Sequence, residues 1–85
     1  MIIRLHRDFE KKYKKLRDTE KKRFKERRDF FVKDEFDPLL NNHALKGKYL
    51  GHRSINITGD IRALYKKQGN VVIFTTIDSH SNLYG

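Results

Sequence analysis

The sequence contains no cysteine and no tryptophan, and it has a single proline and a single methionine among its 85 residues. Without cysteine, neither a disulfide framework nor a thiolate site can form. No run of about 20 apolar residues is present, so a transmembrane segment is not expected. The apolar N-terminal run, residues 1–5, is too short for a signal peptide. These absences favour a cytoplasmic protein. The length of 85 residues predicts one domain over residues 1–85.

Acidic residues are also scarce relative to basic ones. The chain has 20 lysines and arginines against 11 acidic residues, which gives a net charge of +9. Such an excess favours polyanions through phosphate contacts and counterion release, so nucleic acid is the leading partner class. An acidic protein partner also fits this charge. An anionic membrane surface is disfavoured, because no basic helix carries a broad apolar face.

Several common catalytic and binding motifs are missing. There is no pair of cysteines and no H-x-x-x-H spacing, so no zinc site is predicted. There is no glycine-rich phosphate loop and no G-x-S-x-G nucleophile motif. We therefore expect neither a metal nor any other cofactor.

The apolar periodicity changes from helical to strand-like after Pro38. The predicted elements are a strand over 2–5, helices over 7–16 and about 19–33 (with Asp18 as N-cap), and strands over 49–57, 60–66 and 71–77. A four-residue loop, 67–70, is predicted between the last two strands. This order indicates an α+β fold, in which the N-terminal strand and a helical hairpin pack on a small antiparallel sheet. The opposite face of the sheet would stay open and carry any chemistry.

Three of the four histidines lie in the second half of the chain, together with several lysines and arginines. Histidine can exchange a proton near neutral pH, and arginine offers a planar fork of donors that suits phosphate. A metal-free ribonuclease needs these two kinds of group. A base removes the proton of the ribose 2′-hydroxyl, a cation stabilises charge on the phosphate, and an acid protonates the leaving 5′-oxygen.

Each candidate also has an ordinary structural explanation. His43 lies in a polar loop, where histidines are usually only solvated. His80 follows the last predicted strand and could be a turn residue. His52 falls on a predicted strand, where a structural or surface role is favoured. Asp60 follows a turn and could cap a hairpin. Arg53 alternates in step with Ile55 and Ile57, so its side chain is expected on the same face of the strand as theirs. This position indicates a structural ion pair rather than contact with substrate.

Three stretches of the second half have a specific order and spacing: H-A-L-K-G at 43–47, the run 51–65, and I-D-S-H-S-N-L-Y-G at 77–85. They resemble the YafQ branch of the RelE/ParE toxin superfamily, and together they cover about half of the chain. The first half agrees in layout only. The resemblance implies a RelE-like fold and an mRNA endonuclease that acts in the ribosomal A site. It also implies a cognate antitoxin that neutralises the toxin and through which the complex binds operator DNA.

The resemblance implies roles for individual residues as well. His80 matches the usual general acid, and His43 matches a candidate base or phosphate contact. Asp60 matches an acidic residue of the active site, and Arg62 a phosphate-binding arginine. The RNA-binding residues would be Lys46 and Tyr84.

The sequence departs from the family pattern at two positions. Asn56 stands where the pattern has another histidine, which leaves the identity of the general base open. Ile61 stands where the pattern has tryptophan, which removes a base-stacking group. Two other functions share features of the sequence: a ParE-like toxin that inhibits gyrase by binding, and a non-catalytic module that binds RNA or the ribosome.

Overall fold

The helices precede most of the sheet in the chain, as the change of periodicity predicts. The computed structural model describes all residues, 1–85. The elements are β1 Ile2–Leu5, α1 Arg7–Lys14, α2 Asp18–Lys33, β2 His43–Ala44, β3 Arg53–Asn56, β4 Ile61–Gln68, β5 Val71–Ser79 and α3 His80–Tyr84, with short 3₁₀ turns at Pro38–Leu40 and Gly47–Tyr49.

One five-stranded sheet has the order β1-β5-β4-β3-β2. Strands β2 to β5 pair antiparallel, and β1 joins the edge of β5 in parallel, with Ile2 opposite Val71. The α+β class predicted from the sequence is therefore confirmed. The N-terminal strand makes the sheet mixed, because the helices carry the chain away before it returns beside β1. None of the helices is long and apolar enough to cross a membrane.

Aromatic side chains from both helices pack on one face of the sheet. Phe9 of α1 lies 5.8 Å from Phe74 of β5, and Phe24 of α2 lies 5.5 Å from the same ring, measured between ring centroids. Phe31 packs edge-on against Tyr65 at 5.0 Å. Each such pair adds about 0.5–1.5 kcal/mol to the energy of area burial. Phe74 therefore lies at the centre of the core.

The β4–β5 hairpin is longer than the sequence pattern indicates. Gln68 pairs with Val71, so the predicted four-residue loop is wrong and the turn has only two residues. Gly69 occupies the first of them with φ +58°, as a type II′ turn requires.

A β-bulge interrupts the same hairpin. Leu64 pairs with Thr76 but its neighbour Tyr65 pairs with Phe74, so Thr75 is an extra residue. The residues on either side of the two threonines, Phe74 and Ile77, belong to the core cluster, whereas Thr75 and Thr76 do not.

The segment before β3 also differs from the prediction. Residues 49–52 form turns rather than strand, and β3 begins at Arg53. The cause is backbone geometry: Gly47 and Gly51 have φ of +64° and +90°, which end an extended run. Neither the two-residue β2 nor the short α3 was predicted.

The helix boundaries need two corrections. The first helix ends at Lys14 rather than at residue 16. The second begins at Asp18 itself, and Arg17 is its N-cap rather than Asp18. The reason is local, because the Glu20 carboxylate accepts hydrogen bonds from both the backbone N–H (2.9 Å) and the guanidinium (3.2 Å) of Arg17.

Candidate active site

Side chains on the face of the sheet opposite the helices form rows across the strands. His43, Ser54, Leu64 and Thr76 are successive cross-strand partners in one row. Cross-strand partners project to the same face. We call this side the open face, but Ser54, Leu64 and Thr76 are buried on it, so the expectation that the whole face stays open is wrong. The next row runs from Asn56 through Arg62 to Asp78, so two predicted site residues, His43 and Arg62, share the open face.

The C-terminal tail is a helix held by a small polar network. The Ser79 hydroxyl caps α3 by accepting from the Asn82 N–H (3.2 Å). The Asp78 carboxylate accepts from the Asn82 amide (2.9 Å) and the Ser79 N–H (2.8 Å). Burial opposes ionisation of Asp78, but these bonds and Lys12 outweigh it, so its pKa is lowered. Leu83 is fully buried and anchors the far end of the helix.

Two predicted site residues, His80 and Tyr84, lie in this helix, and a third, Asp60, is hydrogen-bonded to its first residue. His80 begins α3, and its exposed ring packs against the ring of Tyr84 at 4.8 Å. The His80 N–H donates to the Asp60 carbonyl (2.9 Å), which ties the helix to the β3–β4 loop. The Asp60 side chain is exposed and makes no hydrogen bond or ion pair. The imidazole of His80 and the phenol of Tyr84 are thus in contact, and Asp60 is joined to them through its backbone carbonyl.

Arg62 fastens the loop that carries Asp60. Its guanidinium donates to the carbonyls of Thr58 (2.9 Å), Ile61 (3.2 Å) and Gly59 (3.2 Å). These bonds use three of its five N–H donors, so two donors remain. Arg62 therefore shapes the loop while keeping its positive charge beside Asp60.

His43 and Lys46 are not joined to this group by any contact. The exposed His43 ring has Nδ1 2.8 Å from the Asn41 carbonyl. Because a carbonyl can only accept, Nδ1 carries the hydrogen and Nε2 is the basic nitrogen of the neutral ring. Lys46 is exposed at the start of a 3₁₀ turn and forms no ion pair.

A network of polar side chains fixes the residues just before His43. The buried Tyr65 hydroxyl donates to the Glu35 carboxylate (2.6 Å) and accepts from the Asn42 amide (2.7 Å). Lys67 donates to the other Glu35 oxygen (2.6 Å). Burial alone would raise the pKa of Glu35, but the bonds from Lys67 and Tyr65 lower it. Burial and the neighbouring carboxylate raise the pKa of Tyr65.

Arg53 belongs to the same network. Its Nε donates to the Asn42 side-chain oxygen (2.8 Å), and its guanidinium lies over the Phe36 ring at 5.2 Å. It forms no ion pair with a carboxylate, so the ion pair expected from the sequence is wrong. Its structural role is to hold Asn42 against β3.

Two residues that the sequence did not single out for substrate contact extend the histidine–tyrosine group. Tyr49 packs edge-on against Tyr84 at 5.9 Å and against His52 at 5.8 Å. The four rings His80, Tyr84, Tyr49 and His52 form what we call the aromatic row. Burial and the ammonium of Lys66 lower the pKa of His52 and outweigh the opposing effect of the Tyr49 carbonyl. The two glycines around Tyr49 were the available sign of a turn here.

No three His, Asp or Glu side chains are grouped closely enough to form a metal site. At the position where the family pattern has a further histidine, the Asn56 side-chain oxygen is buried without a hydrogen-bond partner.

Comparison with known proteins places this arrangement in a family. Residues 1–85 match the model of the YafQ toxin, described as a bacterial toxin of type II toxin–antitoxin systems. No curated protein matches the sequence. YafQ in the DinJ–YafQ toxin–antitoxin complex of E. coli has a TM-score of 0.80 at 18% identity, over 98% of this chain and 96% of that one. A copper-bound mutant toxin from Helicobacter pylori has a TM-score of 0.76 at 24% identity, over 99% of both chains.

A YoeB/ParE toxin from Agrobacterium tumefaciens has a TM-score of 0.76 at 19% identity, over 94% of this chain and 99% of that one. At these identities the solved structures establish the shared fold alone. The match to the family model extends over the whole chain and therefore also shows the family. The chain belongs to the YafQ family, the toxins of bacterial type II toxin–antitoxin systems.

Proposed function

We propose that the protein is a ribosome-dependent mRNA endonuclease that inhibits translation in the cytoplasm. The observation that carries this proposal is the contact between the exposed ring of His80 and the ring of Tyr84, in a helix whose first residue is hydrogen-bonded to the backbone of Asp60. An exposed imidazole can transfer protons near neutral pH. The net charge of +9 supplies the long-range attraction for RNA.

The proposed reaction is attack of a ribose 2′-hydroxyl on the adjacent phosphorus. His80, in its protonated form, gives its proton to the departing 5′-oxygen, and the P–O5′ bond breaks as the P–O2′ bond forms. Arg62 stabilises the charge on the phosphate oxygens through its two unused donors. Asp60 assists His80, while Tyr84 contacts the substrate.

His43 is the candidate for the base that takes the 2′-hydroxyl proton. Its Nε2 is exposed and basic, because Nδ1–H is held by the Asn41 carbonyl. The Tyr65–Glu35–Asn42 network keeps the preceding residue in place. Lys46 lies three residues further along the same segment and would line the RNA path.

We further propose that a cognate antitoxin neutralises the protein, and that their complex binds operator DNA through the antitoxin. The positive charge of α1 and α2 favours an antitoxin with an acidic segment that folds over the basic and catalytic surfaces. The E. coli relative is described in complex with DinJ, which supports a partner of this kind.

Primer extension on mRNA translated in a reconstituted system tests the proposed activity. Site-specific cuts that require ribosomes, and that disappear when the antitoxin is added, are the expected result. Inhibition of gyrase supercoiling without RNA cuts would instead indicate a ParE-like function. Binding to ribosomes with neither effect would indicate a non-catalytic module.

A further inference from the structure

A cavity of about 470 Å³ lies on the open face beside the aromatic row. Tyr49 and His52 form part of its wall, Lys66, Thr75 and Thr76 line its floor on β4 and β5, and the start of α1 closes one side. Ligand pockets of small molecules typically span about 300–1,000 Å³, so one nucleotide is of suitable size. The catalytic roles proposed above for His80 and Tyr84 leave this cavity unused.

The β-bulge explains why the floor is polar. Without it, Thr75 and Thr76 would point to opposite faces of β5, but the extra residue turns both toward the cavity. Thr75 and Thr76 both line the cavity, and the Thr75 hydroxyl donates to the Leu64 carbonyl (3.4 Å).

Lys66 is the available cation of the cavity. Lys12, which also lines it, is held by the carboxylates of Asp8 (3.8 Å) and Asp78 (3.4 Å). Lys66 makes neither an ion pair nor a hydrogen bond, and its charge contributes to the lowered pKa of His52. This lowering favours the uncharged form of the His52 ring, which suits stacking rather than charge pairing.

We propose that this cavity is a nucleotide subsite, in which a base of single-stranded RNA stacks against Tyr49 or His52 and an adjacent phosphate binds Lys66. The ring contacts from His52 through Tyr49 and Tyr84 to His80 make the subsite continuous with the cleavage site. Aromatic faces beside a cation are the usual means of holding single strands without sequence readout. The subsite rests on the proposed ribonuclease function and binds a nucleotide other than those joined by the cleaved bond.

The test uses the full chain carrying His80→Ala, so that RNA is bound but not cut, and a short fluorescently labelled single-stranded RNA. Tyr49→Ala should weaken binding by about 5- to 100-fold, the loss expected for one stacked base. Tyr49→Phe keeps the ring and should bind nearly as tightly as the parent. Circular dichroism of each variant checks that it is folded.

Lys66→Gln supplies a second arm that does not depend on core packing, because the side chain is exposed. It should make the log–log dependence of affinity on salt shallower by about 0.7, the value for one phosphate contact. Lys25→Gln is the matched control, since this exposed lysine of α2 lies on the helical side and loses the same charge. Its slope should change less than that of Lys66→Gln.

Unchanged RNA affinity in Tyr49→Ala, with equal slopes for the two lysine variants, would overturn the subsite even if the parent cuts mRNA. Loss of affinity for an acidic antitoxin peptide but not for RNA would overturn it too, and would assign the cavity to the partner. If the parent does not cut mRNA on ribosomes while both cavity variants still lose RNA binding, the subsite stands and the ribonuclease function falls.

Discussion

Replacing Tyr65 with phenylalanine is expected to destabilise the fold strongly for the loss of one oxygen atom. The side chain is completely buried, and its hydroxyl makes two short bonds, one to a carboxylate and one to the Asn42 amide. The Glu35 carboxylate keeps Lys67, and Asn42 keeps the Glu35 carbonyl. The residual bonds reduce the cost, so we expect a loss of about 2 kcal/mol in the free energy of unfolding. For a domain of this size that lowers Tm by about 8–16 °C.

The assay is urea unfolding of Tyr65→Phe, with Tyr13→Phe as the matched control. The Tyr13 hydroxyl makes one longer bond, 3.3 Å to the Lys21 carbonyl, and its side chain is partly exposed. Its removal should therefore cost well under half as much. If Tyr65→Phe and Tyr13→Phe lowered the free energy of unfolding equally, the buried hydrogen bonds to Glu35 and Asn42 would not be the cause of the large effect at Tyr65.

The same network predicts how the effect depends on pH. The pKa of Glu35 in the fold lies below its ordinary value of 4.5, so ionised Glu35 stabilises the fold above that pH. The contribution is lost as the pH falls through the folded-state pKa. The difference in stability between the parent and Tyr65→Phe should thus narrow below about pH 4.5. A difference that stays constant down to the acid limit of folding would contradict the role given to Glu35.

Three further outcomes are expected. The pKa of His52 is below 6.5 in the fold, so the free energy of unfolding should fall as the pH drops from 6.5 toward the folded-state pKa. In His52→Phe this pH dependence should be weaker, which urea unfolding at several pH values can measure. Gly69→Ala should cost about 1 kcal/mol in thermal unfolding, because φ is +58° in a two-residue turn, and a stabilised variant would contradict the type II′ assignment. Arg62→Ala should destabilise the protein by about 1–2 kcal/mol and also slow mRNA cleavage, because the residue holds the loop that carries Asp60. Slowed cleavage in a variant of unchanged stability would show that the loop contacts of Arg62 contribute little to folding.

The parts of the fold with strong local periodicity could be predicted from the sequence. The bounds of β1 are as predicted, and the end of α2 at Lys33 is also correct. Phe24 and Phe31, seven residues apart, both point into the core. Residues seven apart lie on the same face of any α-helix, so this shared orientation could be predicted without knowing which elements pack against α2.

The elements that were missed depend on partners far away in the chain. The bulge at Thr75 arises from the register between β4 and β5, although two adjacent threonines in an apolar strand are a sign of it. The helix α3 needs a buried place for Leu83, which only the finished sheet provides. A short polar tail therefore looked like a loop in the sequence.

The candidate site divides in the same way. Residue type and family resemblance made His80 a candidate, and the resemblance added Asp60 and Tyr84. The ring contact of His80 with Tyr84 and its backbone bond to Asp60 depend on the loop and helix geometry. The predicted strand position of His52 is wrong, because β3 begins at Arg53 and His52 lies in the turn before it. Its place at the cavity depends on the turn at Gly51 and on packing against Tyr49.

Single-turnover cleavage of mRNA on programmed ribosomes by His80→Ala tests the central claim most directly. His80 is exposed at the first position of α3, so alanine should leave the fold, the antitoxin and ribosome binding nearly intact. Loss of a general acid should slow cleavage by about 100- to 10,000-fold. Ser81→Ala, an exposed change in the same helix, should cut at the parent rate. Cleavage by His80→Ala at the parent rate, or failure only because the variant no longer folds, would contradict the proposed mechanism.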